Sequence, residues 1–71
     1  MNILVFKTNI RHKKHISALS PHMNNIEGVI RWNVDLDDID NILRVEARNL
    51  SPRVVEHTLL QAGYVCKELE D

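Results

Sequence analysis

The rhythm of apolar positions changes along the chain, and each rhythm predicts an element. Ile3-Leu4-Val5-Phe6 is a short unbroken run of β-formers, which predicts a central strand buried on both faces. Thr8-Asn9 predicts the turn that follows. Ile16, Leu19, Met23 and Ile26 then recur at steps of three and four, the apolar stripe of one helix. Pro21 falls inside that stripe. It has no amide to donate, and its ring crowds the carbonyl of Ser17. The helix either kinks there or stops and restarts with Ser20 as N-cap and Pro21 at N1. The stripe stays in phase across Pro21, which favours the kink.

Gly28 ends this helix, and Val29 to Leu36 read as extended chain. Trp32, Val34 and Leu36 alternate as one face of a strand does, while the three-residue step from Val29 to Trp32 predicts a β-bulge. Asp37-Asp38-Ile39-Asp40-Asn41 is a turn, and Leu43, Val45 and Ala47 alternate with Arg44, Glu46 and Arg48 as the second strand of a hairpin. Ser51 and Pro52 then stand as N-cap and N1 of a second helix. Leu50 and Val55 are spaced for a hydrophobic staple. Val55, Leu59 and Ala62 form its buried stripe, Gly63 stops it, and Tyr64 to Leu69 predict a closing strand. With right-handed crossovers, the order βαββαβ gives an α+β, ferredoxin-like sandwich: a four-stranded antiparallel sheet with two helices on one face.

At 71 residues this is a single domain over residues 1–71. A chain of this size buries about 60% of the surface its unfolded form exposes, which leaves little for an enzyme cleft. Nothing pairs a nucleophile with a base at informative spacing, and helix and capping roles account for Ser17, Ser20 and Ser51, so no enzyme is expected. The net charge of −1 gives no case for nucleic acid or a membrane surface. The apolar run at the start is too short for a signal peptide, and no stretch reaches the length of a membrane span. Cys66 is the one cysteine, so no intrachain disulfide forms. The expected setting is a cytoplasmic one without membrane insertion.

Gly28-Val29, Trp32-x-Val34-Asp35-Leu36 and Ala62-Gly63-Tyr64, with the helix spacings between them, resemble the heavy-metal-associated domain, the fold of small copper chaperones and of the N-terminal modules of metal-pumping ATPases. The likeness runs along essentially the whole chain. The family's loop after the first strand reads Met-Thr-Cys-x-x-Cys, whose two soft thiolates at a helix start grip Cu(I). The matching stretch here is Ile10-Arg11-His12-Lys13-Lys14-His15. His12 and His15 stand where both cysteines should be, and Ile10 where the family has methionine. The resemblance also implies that Tyr64 sits near the loop. Imidazole suits Zn(II), Cu(II) or Ni(II) better than Cu(I), and Arg11, Lys13 and Lys14 repel cations. Two histidines are half a typical four-ligand set; Cys66 adds one if it faces the loop.

Two functions of different class follow. In the first, His12-x-x-His15 replaces the cysteine pair in a non-enzymatic domain that binds or delivers a transition metal, with a metal donor or acceptor protein as partner. In the second, the fold persists without metal, and Arg11, Lys13 and Lys14 dock an anion or an acidic protein surface. The remaining features have plainer readings. Asp35, Asp37, Asp38, Asp40 and Glu46 partly match a calcium loop, but Asp40 stands where that loop requires glycine, and a hairpin turn explains them. Trp32 and Tyr64 could stack bases on a sheet, yet Trp32 is in phase with Val34 and Leu36 and so points to the core. His22 and His57 are expected on the surface.

Overall fold

The computed structural model describes residues 2–69. It runs β1 (Asn2–Thr8), α1 (Lys13–Asn24), β2 (Val29–Asp35), β3 (Ile42–Ala47), α2 (Pro52–Gln61) and β4 (Cys66–Glu68). The strands form one antiparallel sheet in the order β2-β3-β1-β4, so β1 is central as expected. Leu4 and Phe6 face Val45 and Leu43 across the β1–β3 ladder, and the helices cover this side. Phe6, Leu19, Met23, Leu43, Val45, Val55 and Leu59 are fully buried. Each contributes on the order of 1.5–3 kcal/mol by leaving water.

The central strand is not buried on both faces. Two helices cover only one side of the sheet, and Ile3 stays 49% exposed on the other. An unbroken apolar run does not distinguish these two cases. The strand also extends through Thr8, one residue into the expected turn.

α1 continues through Pro21 without restarting. Ser20 caps nothing; its hydroxyl oxygen accepts from the Asn24 side chain at 3.0 Å. The bulge appears where the spacing put it, as a register shift between Val29 and Arg31. α2 begins as expected, with the Ser51 hydroxyl accepting from the Arg53 amide at 3.2 Å. Leu50 and Val55 are both in the core. α2 ends in a Schellman motif, in which the Tyr64 amide donates to the Leu59 carbonyl at 2.8 Å and the Gly63 amide to the Leu60 carbonyl at 3.0 Å. Gly63 supplies the required left-handed turn at φ +96°. That turn consumes Tyr64 and Val65, so β4 keeps only Cys66–Glu68 of the expected Tyr64–Leu69 strand.

Candidate metal centre

The loop from β1 to α1 is fixed from three sides. The Thr8 hydroxyl accepts from the Ile10 amide at 3.2 Å and donates to the Asn41 carbonyl at 2.6 Å. Asn9 holds the exit from α2 through two bonds: its amide donates to the Val65 carbonyl at 3.2 Å, and its side-chain oxygen accepts from the Val65 amide at 2.9 Å. Ile10 is fully buried and plugs the loop into the core. These contacts bring residue 64 beside the start of α1.

His12 is the N-cap residue of α1, extended at φ −135°, ψ 152°, and its side chain makes no capping bond. Its carbonyl accepts from the amides of His15 and Ile16, which fixes the first helical turn. His12 and His15 thereby share one side of that turn, with ring centroids 5.0 Å apart and planes at 71°. The Tyr64 ring lies 5.4 Å from His15. The Arg11 amide donates to Nδ1 of His15 at 3.4 Å. A metal taken there displaces one long hydrogen bond, a weak competitor.

Arg11, Lys13 and Lys14 are exposed and belong to none of the ion pairs among the described residues. The first turn of α1 has no acidic residue; the acidic residues near it are Asp35, Asp37 and Asp38, which line a cavity with Lys13.

Cys66 lies opposite Thr8 in the β1–β4 ladder and so points toward the helix-covered face. Its surroundings are Arg53, Glu56, His57, Leu60 and Tyr64, with neither loop histidine among them. Burial first, and the Glu56 carboxylate second, push its thiol up to about 11, against the opposing pull of Arg53. A metal needs the thiolate, which this position disfavours. Among the described residues, no three His, Cys, Asp or Glu side chains gather in a metal-holding arrangement. The structure thus brings His12, His15 and Tyr64 together, buries Ile10 of the same loop in the core, and puts Cys66 in a different environment that shares only Tyr64.

The other sequence candidates have structural explanations. Asp35 and Asp38 accept from the amides of Asp37 and Asp40 at 2.9 and 2.8 Å, the Asx pattern of a tight turn. Trp32 packs on the core, and its indole N–H donates to the Asn24 side chain at 3.1 Å. His22 and His57 are exposed. Sequence reasoning missed Thr8 and Asn9 as the residues that position the loop. The available signal was two short polar side chains after an apolar strand, a pattern that seeks backbone partners.

No family model matches the sequence, and no curated protein does. Solved structures do match in fold. The N-terminal domain of PacS from Synechocystis superposes with a TM-score of 0.82 at 14% identity, over 99% of this chain and 100% of that one. The yeast copper transporter domain Ccc2a, solved in apo and Cu(I)-loaded states, gives 0.84 at 14%, over 100% and 99%. The HMA domain of the copper chaperone for superoxide dismutase gives 0.77 at 19%, over 96% and 66%. The chain therefore has the heavy-metal-associated, ferredoxin-like fold. At these identities the likeness establishes the fold.

Proposed function

We propose that this chain is a non-enzymatic metal-handling domain that takes a borderline divalent ion, Zn(II), Cu(II) or Ni(II), through His12 and His15. The observation that carries this reading is the pair of imidazoles 5.0 Å apart at the start of α1, beside Tyr64, in the loop where the resemblance places a ligand pair. The donor set suits these ions and not a two-thiolate Cu(I) site, because no thiolate is at hand. Two protein donors leave coordination positions open, which suits a transient cargo passed to or from a partner protein. A chain of the Atx1–Cu(I)–Ccc2a complex shares the fold, which supports a donor or acceptor partner. A cytoplasmic setting fits the lone thiol.

The deciding experiment is calorimetric titration of the reduced, tag-free protein with Zn(II), Cu(II), Ni(II) and Cu(I), beside the His12→Ala/His15→Ala variant. Binding of a borderline ion that the variant loses supports the metal site. Equal weak binding by both proteins overturns it. A second reading, a metal-free module that docks an acidic surface, rests on the exposed cations Arg11, Lys13 and Lys14, which form no ion pair among the described residues.

A further inference from the structure

β2 is an edge strand whose charge pattern complements itself. It has β3 on one side only, so its backbone groups facing the other way lack a strand partner. The opposite edge, β4, spans only three residues. Register with β3 sorts the β2 side chains. Trp32 and Val34 lie opposite the buried Val45 and Leu43, while Arg31, Asn33 and Asp35 lie opposite Glu46, Arg44 and Ile42 on the bare face. Arg31, Asn33 and Asp35 are exposed, and Trp32 and Val34 are half-buried. The bulge lies before this stretch, between Val29 and Arg31, and no proline or lysine interrupts it.

A two-fold axis through Asn33 sets this strand antiparallel to a second copy of itself. Arg31 then stands opposite Asp35 of the other copy, twice over, and Trp32 stands opposite Val34. Opposite charges and paired apolar side chains across a strand junction both stabilise it. A one-residue shift sets bare-face residues against inner-face ones. A two-residue shift sets Arg31 opposite Asn33, or opposite Asp37 beyond the end of the strand. The centred register alone satisfies both faces within β2. Arg31 already pairs with Glu46, yet its side chain is 79% exposed, and a guanidinium has donors to spare. Asp35 uses one carboxylate oxygen on the Asp37 amide and keeps the other.

We infer that the β2 edge is a self-pairing surface, and that two copies join through it into one continuous sheet with all helices on one side. The test is sedimentation velocity of the full chain over a concentration series at low salt, with EDTA present so that metal bridging plays no part. The parent dimerises with concentration and dissociates as salt rises. Arg31→Asp and Asp35→Arg each set like charges opposite and weaken the dimer about tenfold. An equimolar mixture of the two variants recovers parental association, because each supplies the sign that the other lacks. Asp35→Asn keeps the turn acceptor and weakens the dimer less. Isotope-filtered NMR on a mixed-label sample gives contacts between Trp32 of one copy and Val34 of the other. A parent that stays monomeric up to its solubility limit overturns the inference. So does a dimer indifferent to both reversals, or a mixture no better than its components.

Discussion

The amide of Arg11 reaches Nδ1 of His15 at 3.4 Å, four residues along the chain. The bond ties one imidazole nitrogen to the backbone of the loop, so a metal bound at Nδ1 would have to displace the Arg11 amide. Zn(II) should then shift the Nδ1 resonance of His15 and the Arg11 amide together. A shift confined to Nε2, or an undisturbed Arg11 amide, would contradict that coupling.

Thr8 makes a sharper stability prediction. Its hydroxyl is the shared partner of the Ile10 amide and the Asn41 carbonyl, and among the described residues it is the one buried polar side chain. Thr8→Val keeps the shape and strands both backbone groups. The expected loss is about 1–3 kcal/mol, read from urea unfolding. If His12 and His15 bind metal as proposed, that affinity should fall with it, since the same hydroxyl anchors the segment that carries His12. A fully stable Thr8→Val protein with unchanged metal binding would remove Thr8 from this role.

Much of the architecture could be read from local signals. Ser51-Pro52 and Ala62-Gly63 marked the ends of α2 because caps are written in adjacent residues. The step from Val29 to Trp32 marked the bulge, since an inserted residue disturbs a two-residue period. The mismatches were set over distance. Exposure of Ile3 depends on which side of the sheet the helices cover, and a four-residue apolar run carries no trace of that. The direction of Cys66 follows from its pairing with Thr8, 58 positions earlier, so the sequence left its place as a ligand open. His12 and His15 were legible as a pair because three residues span nearly one helical turn; the bond from the Arg11 amide to His15 joins the ring to the backbone in a way no spacing encodes.

Two glycines at similar φ should respond differently to substitution. Gly28 sits at φ +98° and Gly63 at φ +96°, so alanine strains either one, typically by about 1–2 kcal/mol. A Cβ at Gly28 would also meet the Arg48 carbonyl oxygen at 2.7 Å, whereas one at Gly63 meets nothing within 4 Å. The obstructing atom is backbone, and the Arg48 amide is itself bonded to the Gly28 carbonyl at 2.8 Å. Relief therefore requires moving the junction of β2 and β3. Thermal unfolding should show Gly28→Ala to be clearly the more destabilised variant, and equal losses would refute the contact.

Cys66 makes stability depend on alkaline pH. The folded chain holds its thiol up at about 11 against an ordinary 9.0, first through burial, then through Glu56. The folded state thus favours the neutral thiol. Below pH 9 both states keep the proton, and the contribution is fully present. Between pH 9 and 11 the unfolded chain releases its proton first, so stability declines as pH rises. Cys66→Ala removes the titrating group, and the difference between parent and variant in urea midpoint should shift against the parent across that window. The same environment should make Cys66 slow to alkylate at neutral pH in the folded protein and fast in urea, because the thiolate is the reacting form. Parallel pH profiles for parent and variant, with equal alkylation rates folded and unfolded, would mean that the thiol is not held protonated, and would reopen Cys66 as a ligand.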